Sequence, residues 1–358
     1  MPVVQAAELK TFASRLLQAG GFTEGDSLQT ADLLVWANIR GIDSHGVLRI
    51  PRYIEMVEQG VVVSGGAVTT VREHGAISVL DGGKCPGAVG MNAAVDRAEQ
   101  LARRLGIGWC AARAISHAGA IGYFASALAD RGLVGMAMAS SRPLMAYTGA
   151  KGEVVSTNPL AIAVPAAGAD PILLDMSTAA VANGKIMAAK DARKPIPLGW
   201  AIDENGIETT DPNRVAALLP MAGAKGSGLS LMIELLSSVL AGNAVIAPVL
   251  LGRKKGGFNG LVIAVDPLAF GPREDFDAAV KDIRDAIHRL EPAEGVASVL
   301  LPGERSAATG RNRAAEGIPL AAGTAKRLVE TAQNLNVSVP QTLMCDSLSA
   351  GQTPRARR

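Results

Sequence analysis

Apolar residues recur at helical spacing along residues 6–20 (Leu9, Phe12, Leu16, Leu17) and along 25–39 (Leu28, Ala31, Leu34, Ala37), with Gly20-Gly21-Phe22-Thr23 between them. A stripe that returns every three to four residues lets a helix bury one side, so both stretches are predicted helices. Ile50 to Gly60 predicts a shorter helix that stops at its glycine. Residues 67–72 and 77–81 read as strands about a turn at His74-Gly75, 87–105 as an Ala-rich helix, and 106–112 as a buried strand. The pattern then predicts a helix over 121–131, a strand over 133–140, and strands at 161–165 and 171–175. An Ala-rich helix is expected from 179, with Ser177 or Thr178 as its N-cap. Residues 191–215 form a polar excursion interrupted by Pro195, Pro197, Gly206 and Pro212, with room for one strand at 198–202. Helices at 229–240, 275–290 and 323–335 and a strand at 259–265 complete the pattern, and the tail from Cys345 is expected to be disordered.

With 358 residues, 48% hydrophobic and 19% charged, the chain has a globular composition long enough for two domains. Lys and Arg are scattered at a net charge of +2 and aromatics make up only 3%, so neither a basic footprint nor a stacking platform for nucleic acid is present. Cys85, Cys110 and Cys345 are far apart, form no CxxC and suggest no disulfide framework. No signal peptide or membrane span is visible, which together with the cysteines points to the cytoplasm. No two His or Cys fall at a metal-ligand spacing, so no metal is expected.

Candidate chemistry concentrates in Arg40-Gly41-Ile42-Asp43-Ser44-His45-Gly46-Val47-Leu48-Arg49, just after the second predicted helix. His45 is one of four histidines and has Asp, Ser, Gly and Arg around it. An imidazole exchanges a proton near neutral pH, and a guanidinium fork four residues on, one turn away if the segment is helical, suits a carboxylate. Asp43 is a candidate for orienting the ring. The competing reading is a capped helix start with solvated arginines. His117, in Ser116-His117-Ala118-Gly119, follows a predicted strand and precedes a helix, where α/β sites commonly form, and glycines 119 and 122 permit close approach. His74 reads as a loop residue and His288 as a helix-surface residue. Gly223-Ala224-Lys225-Gly226-Ser227-Gly228 before an apolar helix has the composition of an anion cradle, although neither a Walker A sequence nor a strand–GxGxxG–helix unit occurs.

Taken in order, these blocks resemble the malate/L-lactate dehydrogenase family of the non-Rossmann type, which also includes sulfolactate, ureidoglycolate and 2,3-diketogulonate oxidoreductases and piperideine-2-carboxylate reductases. The resemblance is carried by Ser44-His45-Gly46 with Arg49 and Pro51-Arg52-Tyr53, and by Ser116-His117 with Gly119 and Tyr123-Phe124. Thr157-Asn158-Pro159, Asp175-Met176-Ser177, Lys225-Gly226-Ser227-Gly228 and Leu301-Pro302-Gly303 extend it over roughly residues 5–335. It implies an α/β fold with a non-Rossmann, largely antiparallel nucleotide-binding sheet, a helical domain and an intertwined homodimer. It also implies NAD- or NADP-linked hydride transfer at C2 of a small 2-hydroxy or 2-oxo acid, or of a cyclic 2-imino acid or ureidoglycolate. A non-enzymatic nucleotide-binding protein is the remaining alternative. By the same resemblance His45 and His117 are the catalytic candidates, and Ser44 and Arg49 contact the substrate. The nucleotide contacts are Asn158, Pro171, Ile172, Leu173, Leu174, Asp175, Met176, Ser177, Ala224, Lys225, Gly303, Glu304 and Arg305. Residues 1–115 with 285–340 are expected to form the helical substrate and dimerisation domain, and 116–284 the nucleotide domain. Ala118 departs from the Phe or Cys of many members, so no single member's substrate is transferred.

Overall fold

The computed structural model describes residues 1–254 and 257–344, so the expectation for the tail from Cys345 lies outside the described residues. The chain forms two compact units, Met1–Gly65 together with the segment from Arg305 onward, and Gly66–Glu304. The first opens with β1 (Val3–Val4), α1 (Ala6–Ala19), α2 (Glu24–Ile39) and α3 (Ile50–Glu58). Next come β2 (Thr69–His74), β3 (Ile77–Cys85), α4 (Gly87–Leu105), β4 (Ile107–Ile115), α5 (Gly122–Asp130), β5 (Val134–Ser141), β6 (Leu160–Val164) and β7 (Ile172–Met176). The chain continues through α6 (Asn183–Asp191), β8 (Ala201–Ile202), β9 (Ala217–Leu218), α7 (Ala224–Glu234), α8 (Ile246–Leu250), β10 (Phe258–Val265) and α9 (Arg273–His288). It closes with α10 (Glu304–Glu316), β11 (Ile318–Pro319), α11 (Ala322–Asn334) and α12 (Gln341–Met344).

In the first unit the predicted stripes become the core except at Leu28, which is exposed. Leu9, Phe12, Leu16 and Leu17 of α1 pack with Ala31, Leu34 and Val35 of α2, Ile50 and Ile54 of α3, and Ala325 and Leu328 of α11. Each Leu, Ile, Val or Phe among them, fully buried, contributes roughly 1.5–3 kcal/mol. The two chain ends are joined by the antiparallel pair Val3↔Pro319 and Val4↔Ile318, which brings α10 and α11 back to the N-terminal helices.

The second unit is built on a seven-stranded sheet in the order β2-β3-β4-β10-β5-β6-β7. Only β3 and β4 run parallel, and every other neighbouring pair is antiparallel. The expected non-Rossmann, largely antiparallel sheet is therefore found. β10 lies at its centre and is buried along nearly all its length, with α4 against β3, β4 and β10, and α5 against β5, β6 and β7. Glycines in the strands let α4 come this close. A Cβ at Gly108 would stand 2.0 Å from the Ala98 carbonyl oxygen, and one at Gly260 would stand 2.0 Å from Met91 Sδ. Residues 66–115 supply β2, β3, α4 and β4 to this unit, so the unit boundaries fall near 65 and 304 rather than at 115 and 285.

Three local expectations are corrected. The helix expected from 179 begins at Asn183 with Ala182 as its N-cap, so Ser177 and Thr178 do not cap it. Residues 178–180 instead pair with the 219–221 segment (Ala180 N–H to Leu219 O, 2.8 Å; Met221 N–H to Thr178 O, 2.9 Å), so tertiary pairing overrides alanine's helix propensity. The strand at 198–202 shrinks to Ala201–Ile202, paired with Ala217–Leu218. The helix expected at 229–240 starts five residues earlier, at Ala224, which places Lys225-Gly226-Ser227 within its first turn, and it ends in a π turn over Leu235–Val239. Among the described residues no helix is long and apolar enough to cross a membrane.

Candidate active site

The Asp43–Arg49 segment is not a continuous α-helix. After α2 ends, Gly41 turns the chain at φ +79°, and two short 3₁₀ turns follow, Asp43–His45 and Val47–Arg49, separated by an extended Gly46. Gly46 is required: an added Cβ would sit 2.1 Å from Asn38 Oδ1, the oxygen that accepts the Val47 N–H at 2.8 Å. Ser44, His45 and Arg49 are brought together here. Ser44 Oγ lies 3.0 Å from His45 Nδ1, and Arg49 Nε donates to the Ser44 carbonyl at 2.8 Å. Burial, reinforced by the Arg49 charge, pushes the His45 ring down to about 4, so it is neutral at pH 7.

Asp43 does not orient that ring. Its carboxylate accepts from Asn38 Nδ2 at 2.7 Å and from both terminal nitrogens of Arg313, at 2.7 and 3.1 Å. Arg313 and Asn38 are thus part of the site's scaffold, and sequence reading did not find them. Arg313 lies 270 residues from its partner, on a helix the apolar pattern does not reveal because α10 buries only Ala307 and Gly310.

In the second unit β4 delivers His117. Ser116 fixes the strand end, its N–H donating to Cys85 O and its hydroxyl accepting the Gly87 N–H, both at 2.9 Å. His117 Nδ1 accepts the Gly119 N–H at 3.3 Å, which favours the proton on Nε2 in the neutral ring. The Phe258 ring stands edge-on to it, centroids 5.8 Å apart. The loop then starts α5 at Gly122, whose N–H donates to Asp175 Oδ2 at 3.2 Å. A Cβ at Gly122 would sit 2.5 Å from that oxygen, so only glycine allows the helix start to touch the carboxyl. Burial pushes Asp175 up to about 6, partly offset by the Gly122 N–H. β7 therefore places Asp175 against the His117 loop.

The remaining nucleotide candidates divide into three groups. Pro171 and the strand Ile172–Met176 lie at the sheet edge beside Gly303: Leu173 N–H donates to Pro302 O at 3.0 Å, and a Cβ at Gly303 (φ +89°) would meet Leu173 O at 2.8 Å. Glu304 accepts the Leu301 N–H at 2.9 Å and faces His288 Nε2 at 2.8 Å. Burial opposes its ionisation, but these two partners hold its carboxyl below the usual range, and Arg305 beside it is exposed. His288 is therefore a partner of Glu304 rather than only a surface residue. Asn158 is buried and bridges β5 to α7, accepting the Ser141 N–H at 3.3 Å and donating to Ser230 O at 2.9 Å.

Ala224 and Lys225 occupy the first turn of α7, where backbone N–H groups have no intrahelical partner. Gly223 before them has open space around it, Ser227 Oγ lies 2.9 Å from Thr148 Oγ1, and Ser177 donates to Thr157 O at 3.1 Å. The Thr178 carbonyl packs on Gly226, while the Thr178 hydroxyl is buried without a hydrogen-bond partner. A helix start with an open glycine, an exposed Lys225 and an orphaned hydroxyl fits a phosphate-bearing ligand such as a nicotinamide dinucleotide.

The family model described as malate/L-lactate dehydrogenase matches residues 4–329. The NADP-linked (2R)-3-sulfolactate dehydrogenase of Chromohalobacter salexigens is 35% identical over 318 residues, 87% of this chain and 92% of that one. The NAD-linked ureidoglycolate dehydrogenase of Escherichia coli K12 is 32% identical over 314 residues, 86% of this chain and 89% of that one. The solved malate dehydrogenase of Pyrococcus horikoshii superposes with a TM-score of 0.85 at 32% identity, covering 94% of this chain and 97% of that one. With a family model spanning residues 4–329 and relatives alike over nearly their whole length, the chain belongs to the malate/L-lactate dehydrogenase family.

Proposed function

We propose that this dehydrogenase uses NAD or NADP to move a hydride to or from C2 of a small 2-hydroxy or 2-oxo acid of the malate, lactate or sulfolactate type. The observation that carries the reading is the His45–Arg49 station, a half-buried neutral imidazole beside a guanidinium whose Nε is anchored on the Ser44 carbonyl. That anchor leaves the terminal nitrogens of the fork to bind a carboxylate. Such orientation supplies roughly 7–11 kcal/mol of barrier reduction in ideal cases. When bound, the nicotinamide supplies or accepts the hydride. With Nδ1 facing Ser44, Nε2 of His45 exchanges the proton with the C2 oxygen. It takes the hydroxyl proton as C2 is oxidised and returns it as the oxo group is reduced. A bound carboxylate cancels much of the Arg49 field and raises the basicity of His45 within the complex. His117 is the second proton-exchanging candidate. Ala224, Lys225 and the strand Ile172–Met176 hold the nucleotide, with Gly303 to Arg305 beside it.

The enzyme works as a homodimer in the cytoplasm. Met232, Leu235, Val239 and Leu240, 48%, 38%, 45% and 66% exposed, form an apolar stripe along α7 and its π turn that suits a second copy. Cys110 is a free buried thiol, as a reducing compartment keeps it. The deciding experiment follows 340 nm absorbance with each cofactor across 2-hydroxy acids, 2-oxo acids, ureidoglycolate and preformed cyclic 2-imino acids. Turnover confined to the cyclic imines would replace the 2-oxo-acid reading, and silence across the panel would leave a nucleotide-binding protein.

A further inference from the structure

We propose that Arg313 is a positioning residue whose grip on Asp43 aims His45 and Arg49 at the acid; the proposal rests on the reading of Asp43–Arg49 as the acid-binding station. Two 3₁₀ turns have little rigidity of their own. Their backbone is held by single bonds, His45 N–H to Ile42 O (2.9 Å), Gly46 N–H to Asp43 O (3.2 Å) and Arg49 N–H to Gly46 O (3.0 Å). Val47 is buried in the core, and one polar cluster ties the two turns together from outside. Arg313 spans both oxygens of Asp43, Asn38 Nδ2 donates to Asp43 Oδ1 at 2.7 Å, and Asn38 Oδ1 accepts the Val47 N–H at 2.8 Å. The cluster therefore holds one residue of each turn, Asp43 in the first and Val47 in the second. Thr309, one turn earlier on α10, closes over Gly41, its Cγ2 3.2 Å from where a Cβ would stand.

The Asp43 side chain is 49% exposed and that of Arg313 17%. An ion pair this open adds little to stability, whereas a planar two-point fork fixes direction. Loss of Arg313 should therefore affect kinetics more than melting.

The test compares Arg313→Gln, Arg313→Lys, Asp43→Asn and the Arg313→Gln/Asp43→Asn double variant, with His45→Ala and Arg49→Lys as references. Expected for Arg313→Gln are a raised KM for the acid and a lowered kcat, together about 10–100-fold in kcat/KM, with nucleotide Kd within about two-fold. Lysine should restore only part of this, because a point charge cannot span both carboxylate oxygens. The double variant should be no worse than the poorer single one, since both remove the same contact. The His45 ring proton resonance, assigned by its loss in His45→Ala, should shift in Arg313→Gln. Native kinetics in folded Arg313→Gln, additive losses in the double variant, or an unmoved His45 resonance would each overturn the proposal. If Arg313→Gln does not fold, Arg313→Lys and Asp43→Asn decide: a raised acid KM supports the proposal, and native kinetics in both reject it. Near-native His45→Ala and Arg49→Lys would instead sink the acid-station reading itself.

Discussion

Burial and the Arg49 charge act on the His45 ring in the same direction, and that fixes how its chemistry depends on pH. In the proposed mechanism His45 is the base for oxidation and must be neutral, so kcat/KM should stay level through neutral pH and fall only as the free enzyme approaches pH 4. Acid binding offsets Arg49, so the corresponding limb of kcat should lie at higher pH; coincident limbs would remove Arg49 from the carboxylate. The sign for stability is separate. The folded ring binds its proton less readily than the unfolded one, so stability is lost as pH falls from about 6.5 towards 4, and melting must be followed beside the rates. His45→Ala should lower kcat by at least about 10²-fold with nucleotide affinity nearly intact. Near-normal turnover would move the role to His117. Arg49→Lys should act mainly on the KM of the acid.

Among the elements, α7 differs most from its expectation, because glycines that read as a loop lie in the first helical turn. Gly226 allows this: a Cβ there would sit 2.3 Å from the Met221 carbonyl oxygen and 2.8 Å from that of Thr178. Gly226→Ala should therefore push the helix start off the 178–221 pairing and weaken nucleotide binding about ten-fold or more, while acid binding to the Arg49 station is spared. Fluorescence titration with reduced nucleotide measures this, and an unchanged Kd would detach the α7 start from the cofactor. Lys225→Ala should have a smaller effect, since the backbone N–H groups remain.

For the whole molecule, the testable feature is the apolar stripe on α7 and its π turn. Leu235→Lys with Leu240→Glu places two charges on it, and sedimentation velocity should show a lighter species than the parent protein. An unchanged sedimentation coefficient would remove this stripe as an interface between copies.

Sequence by itself determined the amphipathic helices α1, α2, α4 and α11 and the apolar strands of the sheet, because period and turn residues act over a few positions. It also determined the six ordered blocks that mark the family, and the joint position of Ser44, His45 and Arg49. Only the tertiary structure decided that Asp43 serves Arg313 rather than His45, that Asp175 lies against Gly122, and that residues 178–180 pair with 219–221 instead of starting a helix. Each of these is a bond between residues from 39 (180 to 219) to 270 positions apart in the chain, and no local periodicity encodes which distant partner a polar group will meet. α10 escaped for the same reason, since little of its surface is apolar and it is identified by what Arg313 grips.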